Sequence, residues 1–293
     1  MYPFIHIGPL TLGSYGIMVA TGLICAFFVL RADLRRRGYH GDAAENIIGI
    51  TGLAGLAGAR LYHLLESPAE FLAHPFALLF STMGFAWFGA VIGGFVALVL
   101  LARHYKMNML LMLDIASPAA AIGYGVGRIG CLISGDGDYG IPTSLPWGMS
   151  FPKGLVPTTG AWDPASGSGI CNKYGLAQNC AVHPTPIYEF LVGMLIGYIL
   201  WRIGARAVGG LRTAGEVFAY YLVLTGVARF LVEFIRINPH SFLGWFSNAQ
   251  AASLASIILG LILLILLERR VGPQTVIAKT SAEAMRRPVL RKP

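Results

Sequence analysis

Long apolar runs separated by short polar segments dominate the chain. Seven of these runs come close to the roughly 20 apolar residues that a helix needs to cross a bilayer. The pattern therefore predicts an all-α polytopic membrane protein, a bundle of about seven transmembrane helices. A shorter apolar piece, 71–80, contains His74 and Pro75 and is predicted to be interfacial or re-entrant. The predicted spans are residues 11–30, 46–65, 83–102, 110–133, 185–204, 214–235 and 249–267.

The composition indicates that lipid is the solvent of this bundle. Hydrophobic residues make up 55% of the 293-residue chain and charged residues only 12%, whereas soluble domains carry about 25% charged residues. One helical bundle of this length needs no second domain, so residues 1–272 are expected to form a single transmembrane domain. Residues 273–293 are expected to be a basic, disordered cytoplasmic tail. No basic residue precedes the first apolar run, which is therefore expected to be a retained span and not a signal peptide.

The distribution of basic residues predicts the orientation. The net charge is +8, and most lysines and arginines follow the first, third, fifth and seventh predicted spans. Cytoplasmic loops carry an excess of these residues, so that side is predicted to be cytoplasmic. The N-terminus is then outside and the C-terminus inside. Because membrane topology explains the charge, no nucleic-acid partner is expected.

Four arginines depart from this distribution. Arg60, Arg128, Arg229 and Arg236 fall in the outer half, or at the outer end, of the second, fourth and sixth spans. Charges at such depth usually face the bundle interior or a water-filled cavity, and a guanidinium fork suits a phosphate. Each arginine taken alone could instead snorkel to the interface or pair with a local carboxylate. Glu233 lies four residues after Arg229, so the two side chains can share a helix face.

A long polar loop, 134–183, connects the fourth and fifth predicted spans on the outer side. It is rich in Gly, Pro, Ser and Thr, which is typical of irregular structure with turns. Loops of this length are usually functional or disordered. Cys171 and Cys180 lie within it, and a disulfide between them is expected if the loop faces an oxidising space.

Three segments, in chain order, combine charged residues with Gly, Pro or aromatic residues. They are Gly127-Arg128-Ile129-Gly130-Cys131 with the following Ser134-Gly135-Asp136 and Tyr139-Gly140, then His183-Pro184-Thr185-Pro186-Ile187-Tyr188-Glu189, and then Arg229-Phe230-Leu231-Val232-Glu233-Phe234-Ile235-Arg236. The three segments are similar to the signatures of one family, the phosphatidylglycerol–prolipoprotein diacylglyceryl transferases. The resemblance covers nearly the whole chain, and weaker matches lie around Arg60 and Tyr15.

The resemblance implies a lipid-transfer reaction in the bacterial inner membrane. The implied substrates are phosphatidylglycerol and the lipobox cysteine of a prolipoprotein, the implied products are a thioether and glycerol phosphate, and no metal or redox cofactor is implied. This chemistry fits an arginine pocket, because positive charge lowers the pKa of an attacking thiol and stabilises a departing phosphate. The protein's own cysteines are not required as nucleophiles.

The resemblance also implies roles for single residues. Arg128 and Arg229 would hold the phosphate and stabilise its departure, and Glu233 would orient Arg229. Further members of the pocket would be Tyr15, Asp136 and Gly140. Arg60 and Arg236 are expected to bind substrate in a secondary role.

Two positions depart from the family pattern. Phe88 stands where family members commonly carry His or Tyr, and Cys131 stands in place of an Asn. Phe88 cannot move a proton, so the general base is left open between His183 and Asp136, with a neutral imidazole the better acceptor near pH 7. A structural role for His183, hydrogen-bonded before Pro184, is an equal alternative.

Two other hypotheses about the function of the chain remain open. A divergent paralogue would keep the lipid pocket but modify another acceptor, or transfer nothing. A small-solute transporter would be expected to show internal repeats or paired broken helices. No convincing repeat is present, and the intramembrane charge gathers near one leaflet, so the transporter ranks last.

Overall fold

The computed structural model describes residues 1–8, 10–66, 68–73, 75–76, 86–164, 166–176, 180–207, 213–238 and 246–270. Within these ranges the elements are two strands and nine helices. The strands are β1 Phe4–Ile7 and β2 Leu10–Gly13, and the helices are α1 Ser14–Arg36, α2 Ala43–Glu66, α3 Pro68–Ala73, α4 Trp87–His104, α5 Met109–Ser134, α6 Ile170–Lys173, α7 Thr185–Ala207, α8 Glu216–Glu233 and α9 Asn248–Arg270.

The long helices make the chain a multi-pass membrane protein. Among the described residues, α1, α2, α5, α7 and α9 are long and apolar enough to cross a membrane. Helix α4 has a shorter apolar stretch, Phe88–His104. Helix α8 has 18 residues and carries three charged side chains, Glu216, Arg229 and Glu233. The prediction of an all-α polytopic protein is confirmed, and the count of seven helices is approximate.

The first helix does not begin where its apolar run begins. Residues 4–13 form an antiparallel hairpin in which Phe4 pairs with Gly13, so the helix starts three residues after residue 11, the approximate start predicted for the first span. The hydrogen bonds of this hairpin hold the backbone of Leu10–Gly13 in an extended conformation, so these residues are not part of the helix. Ser14 then donates its N–H to the carbonyl of Pro3 at 2.9 Å, and the helix starts there. It continues to Arg36, beyond the last apolar residues, because its polar end is held by tertiary contacts.

Two predicted segments fall largely outside the described residues. Helix α3 covers the start of the piece 71–80, predicted to be interfacial or re-entrant, and most of the remainder is outside the described ranges. The predicted tail, 273–293, is outside them entirely.

Helix α5 is the centre of the bundle. It packs against α1, α7 and α8, while α2 pairs with α4 and α9 with α8. We call the end of the bundle at which α5 ends and α7 begins the loop end, because segment 135–184 covers it. The end at which α1 and α7 terminate is the opposite end. A buried cluster there joins α1, α2, α4 and α5 through residues that include Leu30, Leu34, Ile47, Leu101, Met112 and Ile115.

Glycines allow α2 and α4 to approach closely. A Cβ on Gly93 would overlap the carbonyl oxygen of Ala54, and one on Gly58 would overlap the carbonyl oxygen of Gly89. Because backbones meet directly at such points, small residues favour helix association in lipid. Gly123 of α5 similarly faces Gly22 of α1, so these two helices also approach closely at a pair of glycines.

The loop segment has its own small core. Tyr139 stacks on Phe151 with ring centroids 5.0 Å apart, and both are buried with Ile170 and Val182. Cys171 and Cys180 are joined in a disulfide. The loop is therefore ordered over the helix ends beneath it, although apart from α6 it contains only isolated bridges among its described residues.

Gly93→Ala should destabilise the protein, and Gly94→Ala should not. Both substitutions add the same methyl group to α4 and gain the same helix propensity. Only the first overlaps a backbone carbonyl, since the atom nearest to a Cβ on Gly94 is the Thr51 oxygen at 3.9 Å. We expect overpacking to cost about 1–3 kcal/mol, measured by thermal unfolding in detergent. Equal unfolding midpoints for the two variants would contradict the interface.

Candidate active site

Three helix ends bring charged side chains together at the loop end. Arg128 comes from the last turns of α5, Glu189 from the first turn and a half of α7, and Arg229 from the end of α8. The helices run in alternating directions, so residues far apart in sequence share one level of the bundle. Arg236 follows α8 and pairs with Gly140 of the loop through an isolated bridge, which adds a third arginine.

Glu189 is the common acceptor of this cluster. Its Oε2 accepts hydrogen bonds from Arg128 Nε at 2.8 Å and Arg128 Nη2 at 2.5 Å. Its Oε1 accepts from Arg229 Nη1 at 2.9 Å and from the hydroxyl of Tyr124 at 2.7 Å. Arg236 Nη1 lies 3.5 Å from Oε2. One carboxylate, only 5% exposed, thus joins all three guanidinium groups.

Asp138 forms a second bridge between two of these arginines. It accepts from Arg128 Nη1 at 2.5 Å and from Arg236 Nη2. Burial opposes ionisation of Asp138, but the positive charges of Arg236 and Arg128 outweigh it and hold its pKa at about 2. The carboxylate is therefore ionised at neutral pH and acts as a fixed counter-charge.

Glu233 holds Arg229 from its other side. Arg229 Nη2 lies 3.0 Å from Glu233 Oε2 within the same helix, as their four-residue spacing predicts. The other oxygen of Glu233 accepts from Asn238 Nδ2 and from Ser247 Oγ, both at 2.7 Å. Arg229 is thus fixed by two carboxylates, one on its own helix and one on α7.

The cluster balances three guanidinium groups against three carboxylates, but its arginines differ in access. The Arg229 side chain is 28% exposed, Arg128 12% and Arg236 6%. A guanidinium has five N–H donors, and the carboxylates of Glu189 and Glu233 engage the two terminal nitrogens of Arg229 through one contact each. Arg229 is therefore the group best able to donate to an incoming phosphate, while Arg128 is held in place by Glu189 and Asp138.

Cys131 and Asp136 lie beside Arg128. The Cys131 thiol is buried, its Sγ lies 3.3 Å from Arg128 Nη1, and it also hydrogen-bonds Asp136. Burial, and then the negative charge of Asp138, raise the pKa of Asp136. Tyr15, at the start of α1, packs on Gly130 and lies within electrostatic range of this group. The structure thus brings Tyr15, Cys131 and Asp136 together around Arg128.

Gly140 and His183 connect the loop to the cluster through the backbone. Gly140 N donates to the His183 carbonyl at 2.9 Å, and a Cβ on Gly140 would strike the carbonyl of Ile235. The ring of His183 contacts the Tyr188 hydroxyl at 3.2 Å, which also accepts from Trp147 Nε1 at 2.8 Å. The contacts described for the His183 ring are with Tyr188 and include no arginine or carboxylate of the cluster.

Arg60 and Phe88 lie on the α2–α4 side of the bundle. Arg60 is buried at 8% exposure on α2. Phe88 is half exposed near the start of α4, with its ring 6.4 Å from that of Tyr62. The contacts described for Arg128, Arg229 and Arg236 include neither residue.

One thiol and two carboxylates at the site have ligand atoms close enough to consider a metal. Those of Cys131, Asp136 and Asp138 lie within 4.8 Å of one another. Asp138 and Cys131 already interact with Arg128, however, and a guanidinium at this distance repels a cation. The donor set therefore suits arginine pairing better than metal binding.

Sequence reasoning missed two central residues, Glu189 and Asp138. Glu189 ends the His183–Glu189 motif, and a carboxylate inside an apolar span is itself a functional signal. Asp138 lies two residues from Asp136 and two from Gly140, and the sequence does not show which of the two carboxylates faces the arginines.

The fold and the site define a polytopic membrane protein with a cluster of arginines and carboxylates at one end of its bundle. The family model described as prolipoprotein diacylglyceryl transferase matches residues 3–266. The chain therefore belongs to the prolipoprotein diacylglyceryl transferase family.

Two relatives illustrate how far the similarity extends. A phosphatidylglycerol–prolipoprotein diacylglyceryl transferase of Geobacter sulfurreducens is 34% identical over 282 residues, covering 92% of this chain and 96% of its own. One of Clostridium tetani is 32% identical over 250 residues, covering 85% of this chain and 90% of its own. The chain is thus similar to these enzymes over almost their whole length.

Asp138→Asn should destabilise the protein at neutral pH. The folded pKa of Asp138 lies below its ordinary value of 3.8, so ionised Asp138 contributes stability above about pH 4 and loses it as the pH falls through 2. The loss should be on the order of 2 kcal/mol at pH 7 and should shrink between pH 4 and pH 2 in thermal unfolding experiments.

Asp136→Asn is the matched control for this prediction. The pKa of Asp136 is raised, so its ionised form is disfavoured by folding, and removing that charge should leave stability at pH 7 unchanged or higher. If both substitutions destabilise equally at pH 7, the assignment of Asp138 as the counter-charge fails.

Proposed function

We propose that the chain transfers the diacylglyceryl group of phosphatidylglycerol to the lipobox cysteine of prolipoproteins. Family membership supports the reaction class, and the names of its relatives support these two substrates. The observation that carries the proposal is the cluster at the loop end, in which Glu189 and Asp138 hold three guanidinium groups and Arg229 is partly exposed.

The chemistry is a displacement at carbon. The lipobox sulfur forms a bond to the glyceryl carbon that bears the phosphate, and the bond between this carbon and the phosphate oxygen breaks. Glycerol phosphate leaves with the electron pair, and the thiol proton passes to a base. Negative charge moves from sulfur to phosphate, so fixed positive donors near both groups lower the barrier.

The three arginines contribute in different ways, according to how exposed each side chain is. Arg229 contacts the phosphate directly, because it retains donors and access. Arg128 and Arg236 supply positive potential from fixed positions, and Tyr15, Gly140 and Cys131 shape the pocket around them. Arg60 and Phe88 belong to the α2–α4 side of the lipid site. Preorganisation of this kind costs no reorganisation at the moment of reaction.

Asp136 is the better candidate for the general base. It lies next to Cys131 and its pKa is raised, which improves a carboxylate as a proton acceptor near neutral pH. Asp138, with a pKa of about 2, is a poor one. The His183 ring is engaged with Tyr188 and supports the Gly140 segment.

Residues 1–272 form the transferase domain in this proposal, and the loop end faces the periplasm. The excess of basic residues in the last turns of α1, α4, α7 and α9 and directly after them supports a cytoplasmic opposite end. The protein then lies in the bacterial inner membrane with a periplasmic N-terminus and a cytoplasmic C-terminus.

Arg229→Ala should reduce transfer by about 10²–10³-fold, the usual cost of removing one transition-state donor. The measurement follows a lipobox peptide by mass spectrometry, with purified chain and phosphatidylglycerol, and scores the diacylglyceryl mass gain. Arg202→Ala, which removes an exposed arginine near the end of α7, is the control and should remain active. Full activity of the Arg229 variant would refute the assignment. A folded wild-type chain that gives no mass gain would favour a lipid-binding paralogue.

Asp136→Asn should reduce transfer more than His183→Ala does. Loss of a general base costs about 10²–10⁴-fold, whereas loss of the His183 ring should be felt only through the Tyr188 contact. Activity of the Asp136 variant should also recover as the pH is raised, because the thiol then ionises without help. The reverse ranking of the two variants would make His183 the base.

A further inference from the structure

A second group of arginines lies at the opposite end of the bundle, far from the Arg128 cluster. Arg36 and Arg37 lie at the end of α1, and both donate through Nε to Asp33 Oδ1, at 2.5 Å and 2.8 Å. Arg36 Nη1 also donates to the Trp201 carbonyl at 2.9 Å. Arg37 is 95% buried and Asp33 is fully buried. Two guanidinium groups are thus fixed to one carboxylate in a protected setting.

Both arginines present an unpaired donor to the same place. Arg36 Nη2 and Arg37 Nη2 are buried, and among the described residues neither has a hydrogen-bond partner. A Cβ on Gly204 would lie 2.5 Å from Arg36 Nη2 and 3.1 Å from Arg37 Nη2. The two donors therefore converge beside Gly204 of α7, where the lack of a side chain admits them.

The nearby carboxylates do not satisfy these donors. Asp33 Oδ1 is already shared by the two Nε atoms, and Asp33 Oδ2 is buried without a hydrogen-bond partner among the described residues, so this carboxylate does not reach the Nη2 donors. Its single negative charge also leaves one of the two guanidinium charges unbalanced. Asp114 of α5 lies within electrostatic range of Arg37, but its oxygens accept from the backbone N–H groups of Gly215 at 2.7 Å and Phe218 at 2.8 Å. Asp114 thus caps the start of α8. A buried donor left unpaired is unfavourable, so the arrangement favours an added acceptor.

We propose that Arg36 and Arg37 form a second phosphate-binding site, which takes the phosphodiester of an anionic phospholipid or a free phosphate. Two converging guanidinium groups match the several acceptor oxygens of a phosphate. The inference is independent of the transferase reaction. Helix α1 has 23 residues and a rise of about 1.5 Å per residue, so this site lies on the order of 30 Å from the Arg128 cluster.

The surroundings suit a lipid headgroup. The Arg36 guanidinium lies over the Trp201 ring at 4.0 Å, and Tyr198, one turn earlier on α7, is 57% exposed. Aromatic residues of this kind are enriched at the membrane–water interface, where lipid phosphates lie. A lipid bound here would join the end of α1 to the end of α7.

The test compares arginine-to-glutamine variants by native mass spectrometry of the full chain in detergent. Arg36→Gln/Arg37→Gln removes the converging donors, and Arg35→Gln removes an exposed arginine from the same helix turn. Each protein is titrated with phosphatidylglycerol and with phosphatidylcholine. We expect wild type and Arg35→Gln to retain one more phosphatidylglycerol per chain than the double variant, whose affinity at this site should fall roughly tenfold or more. Phosphatidylglycerol bound at the Arg229 end is expected in every variant, so it does not contribute to the difference between them.

Gly204→Ala keeps the test valid if the double variant does not fold. Its methyl group would displace both Nη2 atoms without removing charge, and Gly49→Ala, whose Cβ meets nothing within 4 Å, is its control. We expect Gly204→Ala, and not Gly49→Ala, to lose the extra lipid.

Inorganic phosphate in thermal unfolding separates the two ligand sources. If phosphate stabilises wild type but not the double variant, and these two proteins retain equal numbers of phosphatidylglycerol molecules, the ligand is free phosphate. Loss of lipid in Arg35→Gln equal to that in the double variant would overturn the proposal. So would the absence of any preference over phosphatidylcholine together with no effect of phosphate.

Discussion

The Glu189 carboxylate holds the loop end of this protein together. It accepts from Arg128, Arg229 and Tyr124 and lies near Arg236, so one buried charge links α5, α7, α8 and the segment that follows α8. Removing one partner of a buried ion pair typically costs about 3–5 kcal/mol, because the other charge is left uncompensated. The helix ends are therefore mutually dependent, and the bundle cannot rearrange there without exposing a guanidinium group to lipid.

Charge balance explains how such a cluster tolerates burial in the bundle while one arginine stays available to the phosphate that we propose it binds. Three carboxylates offset three guanidinium groups, which makes burial tolerable, yet the arginines are not equally engaged. Arg128 is held by Glu189 and Asp138 together, whereas Arg229 remains partly exposed. The division leaves one arginine for ligand contact and uses the others as fixed sources of potential. Phosphate chemistry at the membrane surface requires both properties.

At the opposite end of the bundle, arginines again share one buried carboxylate. Asp33 binds two arginines there, as Glu189 binds three, but the Nη2 donors of Arg36 and Arg37 converge beside Gly204 and have no acceptor among the described residues. Glycine matters in both halves of the fold for the same reason, since it lets a backbone or a guanidinium approach where a Cβ would collide. Gly58, Gly89 and Gly93 do this between α2 and α4.

The sequence by itself determined the membrane class, the approximate spans and the main arginines, because hydropathy and the cost of intramembrane charge are local properties of each segment. It also indicated the Arg229–Glu233 pair, which one helix turn fixes. Only the tertiary structure decided the rest. The hairpin at residues 4–13 depends on backbone pairing that an apolar run does not reveal. The choice of Asp138 over Asp136 as the bridge, and the role of Glu189, depend on which helix ends meet, and those contacts join residues up to about a hundred positions apart.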